Sequence, residues 1–360
     1  MNTIIALDEL PRAPMRDIEA ITEIARADLL ALHGARIFIT GGTGYIGRWL
    51  LESLCHANRV LDLKLEATVL SRMPAEFAMR YPHLAGDKCI RLIEGDVRDF
   101  DFTFDHEGFS HCIHAATDVV ASSAHLDIFD VTVTGTKHVM EFARHQGIVD
   151  VLLLSSGAVY GLVPDHVKRA SESWPCVSDV TTQQSAYGLG KIVTEWLGNA
   201  YGKQYGFSCK SARVFAQIGP YLELDAHFAA GNFIRDVLQG NGIIIKGDGT
   251  ALRSYMYAVD MVTWLWAILV RGKAGSAYNV GSEQGISIRG LAEVIVRVAG
   301  EEQVEIKVLD QPVPSAASLN YLPDTMLARK ELRVSITVPL EDAIRRTLEW
   351  CLAQTKRPII

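Results

Sequence analysis

The segment RIFITGGTGYIGRWLLESL, residues 36–54, decides the fold that this sequence predicts. It begins with an apolar, β-favouring run at 37–40 and ends in an amphipathic pattern that is typical of a helix. Between the two, Gly41, Gly44 and Gly47 follow G-x-x-G-x-x-G spacing. Glycines permit a tight turn whose backbone approaches a pyrophosphate, and the following helix N-terminus faces that negative charge. The strand, turn and helix together therefore predict a dinucleotide-binding site.

The composition narrows the class of protein. Hydrophobic residues make up 49% of the chain and charged residues 21%, which fits a compact soluble protein. The net charge of −7 argues against a nucleic-acid partner, whose phosphates attract a basic surface. The longest apolar run, at 261–270, is far shorter than the ~20 residues of a membrane span, and charged residues interrupt the N-terminus where a signal peptide is apolar. Six scattered cysteines without a C-x-x-C pair favour reduced thiols over disulfides or a metal site, so we expect a cytoplasmic protein.

Strand and helix patterns alternate along the first 215 residues. Such alternation predicts an α/β fold in which a doubly wound parallel sheet carries helices on both faces. The further strands are predicted at 66–70, 90–94, 110–114, 150–154 and 207–215, and the long helices at 17–32, 126–144 and 187–205.

Beyond residue 216 the segments become shorter and glycine turns more frequent. This change predicts a smaller lobe that covers the carboxyl ends of the strands, where open α/β sheets bind ligands. We therefore expect an N-terminal helical extension over 1–35, a dinucleotide-binding domain over 36–215, and a mainly substrate-binding lobe over 216–360 with some segments returning to the first domain.

Tyr187 and Lys191 are the first candidates for chemistry. They stand four residues apart, so a helix places both side chains on one face. A phenol titrates near ~10, and a neighbouring ammonium favours the phenolate and lowers that pKa. The pair follows Ser155 and Ser156, which end a predicted strand, and the arrangement predicts a tyrosine acid/base.

The motifs TGGTGYIG, GDV, HAA, SSGAVYG and YGLGK occur in this order at spacings that identify a family. The chain resembles the extended short-chain dehydrogenase/reductases, and among them the nucleotide-sugar epimerases, dehydratases and reductases. The second half is similar as well, through ARVFAQIGP, GDGTALRSYMYAVD, YNVG and DAIRRTLEW. The resemblance covers the chain from residue 35 onward and implies a Rossmann-type domain for NAD(P).

The resemblance also implies roles for particular residues. Tyr187 would be the catalytic acid/base, Lys191 its partner and a ligand of the nicotinamide ribose, and Ser156 the hydrogen-bond donor to the reacting oxygen. The implied cofactor-binding residues are Gly41, Thr43, Gly44, Tyr45, Ile46, Gly47, Arg48, Ser71, Arg72, Asp96, Val97, Ala115, Ala116, Thr117, Ser155 and Lys191. The implied substrate-binding residues are Ser156, Gly157, Arg213, Asn232 and Arg253.

Three departures from the family pattern bear on the subclass. Sugar 4,6-dehydratases carry an Asp-Glu pair where this chain has Gly157 and Ala158, which argues against dehydration because that reaction needs a further acid and base. The usual asparagine before the helical Gly-Thr is Thr132, which bears on the fine geometry of the site and not on the fold.

The third departure concerns the cofactor. NAD-preferring members end the second strand with an aspartate, whereas here Ser71 and Arg72 stand there and Arg48 follows the last glycine. A hydroxyl and guanidinium groups suit a 2′-phosphate, so NADP(H) is predicted and NAD(H) is the alternative.

These observations favour an NADP(H)-dependent reductase of a nucleotide-linked 4-keto sugar. The alternatives are a nucleotide-sugar 4-epimerase with tightly bound NAD(P) and, from another class, a non-catalytic NADP(H)-sensing protein. Relatives commonly form homodimers through the two long helices, and a homodimer is expected here. The apolar residues that could form such an interface, or could face the sheet instead, are Phe129, Val133, Val139, Met140, Ile192, Trp196 and Leu197.

Overall fold

A computed structural model describes residues 12–103, 108–117, 124–164, 166–226, 228–301, 303–310 and 320–355. Its main sheet is parallel throughout and has seven strands among the described residues, in the order β3-β2-β1-β4-β5-β6-β11. These strands are β1 (Arg36–Thr40), β2 (Glu66–Ser71), β3 (Ile90–Glu94), β4 (His111–His114), β5 (Asp150–Ser156), β6 (Ser208–Val214) and β11 (Ala277–Val280). The predicted doubly wound sheet is confirmed, and its predicted strand ends differ from the observed ones by at most two residues.

The centre of the sheet fixes where a ligand can bind. Strand β1 pairs with β2 on one side and with β4 on the other, so that Thr40 lies opposite both Leu70 and His114. The chain reverses its direction of winding between β1 and β4, which opens a crevice at their carboxyl ends. Strand β11, which comes from the second half of the chain, completes the sheet beside β6.

Helices cover both faces of the sheet. The most apolar of them, α9, has Trp264 and Trp266 fully buried, which explains the apolar run at 261–270 as a core helix. Within the described residues, no helix combines the length and apolar character that a membrane crossing requires. The helices are α1 (Met15–Ile24), α2 (Arg26–Ala31), α3 (Tyr45–Leu61), α4 (Pro74–Arg80), α5 (Pro82–Ala85), α6 (His125–Gln146), α7 (Ala186–Tyr205), α8 (Ala229–Leu238), α9 (Ala258–Arg271), α10 (Ile288–Ala299), α11 (Met326–Leu332) and α12 (Leu340–Thr355).

The two long helices α6 and α7 pack against each other on one face of the sheet. Val139 and Met140 of α6 are fully buried within the chain itself, so they face the core and not an external partner. Trp196 of α7 is 65% exposed, the most exposed of the apolar residues predicted for an interface. The homodimer stays a prediction.

The predicted N-terminal helix is observed as two helices, because the helical conformation is interrupted at Ala25, between α1 and α2. Asp17 of α1 is fully buried and accepts hydrogen bonds from the Tyr257 hydroxyl at 2.6 Å and from Arg346 Nη1 at 2.7 Å. Asp28 of α2 forms an ion pair with Arg271 Nε at 2.6 Å. The segment before β1 is thus bonded to the second half of the chain. The division into domains stays a prediction.

The second half adds short strands around the crevice. They are β7 (Gln217–Ile218), β8 (Ile243–Ile245), β9 (Leu252–Arg253), β10 (Met256–Tyr257), β12 (Ile286–Ser287), β13 (Ile306–Val308) and β14 (Asn320–Tyr321). Strand β9 lies between β12 and β14, and this arrangement places Tyr321 beside Arg253.

Candidate functional site

A cavity of about 940 Å³ lies at the carboxyl ends of the central strands and is closed on its other side by the second half of the chain. Most of the residues implied by the resemblance meet there. The cavity is lined by Gly41, Thr43, Gly44, Tyr45, Ile46, Gly47, Ser71, Arg72, Asp96, Val97, Ala115, Ala116, Thr117, Ser155, Ser156, Tyr187, Lys191 and Arg253, among others.

The glycine turn has the shape that a bound pyrophosphate requires. Gly41 has a φ of +69°, and a Cβ on it would lie 2.6 Å from the backbone of Ala115. A Cβ on Gly47 would lie 2.4 Å from the Gly41 carbonyl oxygen, so this glycine lets α3 pack tightly on the turn. Gly44, in contrast, is open: of the described atoms, only the Gly41 carbonyl oxygen comes within 4 Å of its Cβ position, at 3.4 Å. The turn and the N-terminus of α3 therefore fit a dinucleotide phosphate.

Two residue sets that the sequence predicts to flank the adenosine line the cavity. Ser71 is the last residue of β2 and Arg72 follows it. Both line the cavity, and Arg72 is exposed. On the other side, Asp96 accepts from the Arg98 backbone nitrogen and from its Nε, both at 2.9 Å. Arg98 holds the pKa of Asp96 below its usual range, so this carboxylate stays ionised.

Arg48 does not reach the cofactor position that the sequence predicted for it. Its side chain is 5% exposed and is absent from the described lining of the cavity. The guanidinium donates to the Tyr81 hydroxyl and to the Gly44 carbonyl at 3.2 Å, and it stacks 5.0 Å from the ring centroid of Tyr221. The Arg48 side chain lies behind the glycine turn, because the face of α3 that carries it packs against the core. Arg48 therefore braces the turn, and its guanidinium is bonded there instead of lining the cavity as described.

Ser156, Tyr187 and Lys191 converge at the inner end of the cavity. Ser156 ends β5 and caps the 3₁₀ turn Gly157–Tyr160, with its Oγ accepting from the Ala158 nitrogen at 3.2 Å. Its hydroxyl also acts to lower the pKa of Tyr187 on α7. Lys191 is 2% exposed and lies one helical turn further, with its Nζ 5.7 Å from the Tyr187 ring centroid. The strand and the helix thus bring the three groups together across 35 residues of chain.

The electrostatics of this group differ from the prediction. Burial raises the pKa of Tyr187 above its ordinary value, with the hydrogen bond from Ser156 acting in the opposite direction. The expected lowering by Lys191 is not found, because the ammonium donates to the Leu154 carbonyl at 2.7 Å instead of to the phenol. Burial also lowers the pKa of Lys191 to about 8, with Glu195 opposing the effect. Tyr187 is accordingly held as a proton donor at neutral pH.

Arg213 is a structural residue in this fold and is absent from the described cavity lining. It is 6% exposed and pairs with Glu195 through Nε at 2.9 Å and Nη2 at 2.8 Å. Its Nη1 donates to the Tyr160 hydroxyl at 2.8 Å, and Ser155 Oγ donates to the same Glu195 at 2.5 Å. Through Glu195, Arg213 of β6 and Ser155 of β5 are both joined to α7.

Asn232 is likewise engaged elsewhere. In the amide orientation that satisfies its neighbours, its side-chain nitrogen donates to the carbonyls of Leu224 and Ala226, at 2.9 and 2.8 Å. The residue is therefore positioned to hold the loop before α8. In the described part of that loop, Leu222, Glu223, Ala226 and Phe228 line the cavity. Of the second-half residues implied as substrate ligands, Arg253 is the one that reaches the described lining.

The structure also adds residues that the sequence did not indicate. Phe215, Gln217 and Tyr321 line the cavity next to the reactive group. A Cβ on Gly157 would lie 2.6 Å from Phe215 Cζ and 2.7 Å from the Tyr321 hydroxyl, so these rings fill the space beside Ser156. Tyr321 is 134 positions from Tyr187 and belongs to no recognisable motif, so only tertiary contact reveals it.

Two further groups lie outside the reactive centre. His114, at the end of β4, bridges Thr40 Oγ1 at 2.7 Å and Thr136 Oγ1 at 3.0 Å, and burial lowers its pKa to about 3. The Cys55 and Cys89 thiols lie 3.6 Å apart with Asp87 nearby, and that carboxylate pairs with Arg59 at 2.6 Å. Neither group lines the cavity as described.

Known proteins are similar to this chain both in sequence and in structure. UDP-glucuronic acid decarboxylase 1 of Xenopus tropicalis is 27% identical over 88% of this chain and 72% of its own length. A solved dTDP-glucose 4,6-dehydratase from Streptomyces venezuelae, with NAD bound, superposes with a TM-score of 0.76 at 23% identity, covering 88% of this chain and 96% of its own. A UDP-glucose 4-epimerase from Thermotoga maritima gives 0.75 at 19% identity, covering 89% and 100%. The similar proteins thus include the dehydratase class that the sequence disfavoured.

The family model for the NAD-dependent epimerase/dehydratase family matches residues 37–281. That span contains the glycine turn, Ser156, Tyr187 and Lys191. It also contains six of the seven strands of the main sheet in full, together with all but the first residue of β1. This protein belongs to the NAD-dependent epimerase/dehydratase family, within the extended short-chain dehydrogenase/reductases.

Proposed function

We propose that this protein is an NAD(P)-dependent oxidoreductase of nucleotide-activated sugars, and that its reaction is the reduction of a 4-keto sugar. One observation carries the proposal. Ser156, Tyr187 and Lys191 meet at the inner end of the cavity, and the position that follows Ser156 has no room for an added carboxylate. The site thus offers one acid/base tyrosine with its hydrogen-bonding serine, which suits carbonyl reduction.

The surroundings of Gly157 support reduction over 4,6-dehydration. A side chain there would meet both Phe215 and Tyr321 at less than 3 Å from its first carbon atom. Loss of water from a sugar needs an additional acid and base beside the reacting carbons. Because the fold fills this space with aromatic rings, the similarity to a 4,6-dehydratase extends to the fold and not to this part of the site.

Each residue then has a defined task. The bound cofactor supplies the hydride. Ser156 Oγ donates a hydrogen bond to the carbonyl oxygen of the sugar and polarises it. Tyr187 gives its phenolic proton to that oxygen as the alkoxide forms. The raised pKa keeps the phenol protonated at neutral pH, and the alkoxide is the stronger base and takes the proton. Lys191, anchored on Leu154, lies within the same pocket to bind the ribose next to the nicotinamide.

The cofactor preference is a separate part of the proposal. Ser71 and Arg72 still support NADP(H), since they lie at the end of β2 on the cavity wall. Arg48 no longer does, and a solved relative carries NAD. Use of NAD by this protein would favour the second candidate, a nucleotide-sugar 4-epimerase. Such an enzyme oxidises and then reduces the same carbon, so it consumes no cofactor overall.

A single assay distinguishes the candidates. The purified protein is mixed with UDP-, dTDP-, GDP- and CDP-sugars and their 4-keto forms, with and without added NADPH or NADH. Consumption of the reduced cofactor with the 4-keto sugar is expected. Interconversion of epimers without added cofactor would replace the reductase by the epimerase, and release of water or carbon dioxide would overturn both. Cofactor binding without any turnover would support the non-catalytic NADP(H)-sensing protein.

A further inference from the structure

Two thiols lie in contact outside the cavity, where α3 meets the segment that enters β3. Cys55 belongs to α3, and Cys89 directly precedes the first residue of β3. Their sulfur atoms lie 3.6 Å apart, with the Cys89 thiol donating to Cys55 Sγ. The two residues are separated by 34 positions in the chain, so the tertiary fold brings the sulfur atoms together.

The two thiols differ in their access to solvent. Both side chains are buried, but Cys89 lines a surface depression of about 350 Å³, whereas Cys55 is absent from its described lining. The other lining residues are Asn58, Arg59, Gly86, Asp87 and Lys88. A small reagent that enters the depression therefore meets Cys89 first, with Cys55 behind it.

The charges around the pair favour a reaction of the thiols over the binding of a metal ion. The Asp87 carboxylate lies within 4.8 Å of both sulfur atoms. One of its oxygens pairs with Arg59 at 2.6 Å, and the other accepts from the Cys89 backbone nitrogen at 3.1 Å. A metal ion would have to displace Arg59 and lie in the same depression as Lys88. Positive charge beside a thiol instead favours the thiolate, which is the reactive form.

Cys55 is suited to react second. Its pKa is raised above the ordinary value, first by the hydrogen bond with Cys89 and then by burial. Cys55 therefore stays protonated and is a poor first nucleophile. A sulfenic acid on Cys89 would place an electrophilic sulfur next to it, and a sulfenic acid condenses with a neighbouring thiol.

We propose that Cys55 and Cys89 form a redox modification site that converts between a dithiol and a disulfide, with a peroxide as the oxidant. The Cys89 thiolate attacks one oxygen of hydrogen peroxide, the O–O bond breaks, and hydroxide leaves, so that Cys89 becomes a sulfenic acid. The Cys55 sulfur then attacks the Cys89 sulfur, the S–O bond breaks, and water leaves. Hydroxide takes up the proton that Cys89 lost, so two thiols and one peroxide give one disulfide and two waters.

This inference does not rest on the proposed function, because neither cysteine belongs to the described lining of the cavity. The test uses the full-length reduced protein, mixed with hydrogen peroxide in the presence of glutathione as a reference thiol. The protein is then alkylated in denaturant and digested with trypsin, which releases residues 49–59 with Cys55 and residues 89–91 with Cys89. A disulfide that joins these two peptides is expected, and dithiothreitol should remove it. Absence of the linked peptide once the glutathione has been oxidised would overturn the proposal.

Two variants test the order of the steps. Cys55→Ser removes the second thiol, so Cys89 should accumulate as a sulfenic acid that dimedone captures. Cys89→Ser removes the first nucleophile, so Cys55 should remain an unmodified thiol at the same peroxide concentration. Dimedone labelling of Cys55 in Cys89→Ser, or its absence from Cys89 in Cys55→Ser, would contradict the proposal.

Cys351→Ser is the matched control. Cys351 of α12 has the same 6% exposure as Cys89 but does not belong to the described cluster of Cys55, Asp87 and Cys89. The variant should form the linked peptide at the wild-type rate, and Cys351 itself should stay reduced in the wild-type protein. Oxidation of Cys351 as fast as that of Cys89 would show that exposure alone governs the reaction, and the site would be refuted.

Discussion

The two walls of the cavity are built in different ways. The wall formed by the first half of the chain consists of short contiguous motifs, the glycine turn and the ends of β2, β4 and β5, and nearly all of their residues line the cavity. The wall formed by the second half consists of several separate pieces. They are the runs 216–217, 222–223 and 228–230 and the residues Ala226, Arg253, Tyr255, Ile288 and Tyr321. There, Arg213 and Asn232 bond to other parts of the chain, whereas Arg253 and Tyr321 face the cavity.

The difference shows which sequence motifs predict the position of a residue in the cavity. The carboxyl ends of adjacent parallel strands meet at one edge, so a motif at such an end is placed by the topology alone. A lone arginine has no such constraint, and either a buried carboxylate or the substrate can be its partner. The predictions below test this contrast.

The largest effect is expected on the first wall. Tyr187→Phe should lower turnover by about 10²–10⁴-fold, the range of a lost general acid, because the proton for the alkoxide comes from this phenol. Cofactor binding, measured by fluorescence of the reduced nicotinamide, should persist. Unchanged turnover with an identified sugar nucleotide would remove Tyr187 from the mechanism.

In the second half of the chain, replacing Arg213 should mainly reduce stability, whereas replacing Arg253 should mainly weaken binding of the sugar nucleotide. Arg213→Ala leaves Glu195 buried without its partner and should lower the free energy of unfolding by about 3–5 kcal/mol. Arg253→Ala leaves the Arg213–Glu195 pair intact, so it should lower that free energy by less. It should raise KM for the sugar nucleotide, because Arg253 lines the cavity. Urea unfolding of both variants measures the contrast, and equal destabilisation would show that the two walls do not differ as described.

Cofactor choice should depend on the rim of the first wall. Arg72→Ala should weaken NADP(H) binding by about 1–3 kcal/mol and spare NAD(H), since a charged hydrogen bond to the 2′-phosphate is lost. Arg91→Ala, an exposed arginine on the neighbouring strand β3, is the matched control. Calorimetric titration with both cofactors gives the answer, and equal losses for NADP(H) and NAD(H) would refute the assignment.

The smallest expected effect is on the pH dependence. Lys191 has a pKa of about 8 in the fold, below its unfolded value, so it is charged below pH 8 and becomes neutral above it. If the charged form binds the ribose, kcat/KM for the cofactor should fall as pH rises through about 8. The sign for stability is opposite: with a depressed folded pKa, the contribution of Lys191 is fully present above the unfolded value and is lost as pH falls through 8. Lys191→Met should abolish both dependences, measured from pH–rate profiles and from unfolding at several pH values.

The sequence by itself determined the parallel sheet, the dinucleotide turn and the reactive pair Tyr187 and Lys191. Each of these depends on local pattern: strand and helix periods, glycines at fixed spacing, and four residues along a helix. The family match over 37–281 agrees with that reading.

Only the tertiary structure decided which polar groups face the cavity. The burial of Arg48 behind the glycine turn, the pairing of Arg213 with Glu195, the raised pKa of Tyr187 and the approach of Tyr321 to Gly157 all depend on partners far away in the chain. A side chain's orientation and ionisation are set by what surrounds it in three dimensions, and no spacing along the sequence encodes those neighbours.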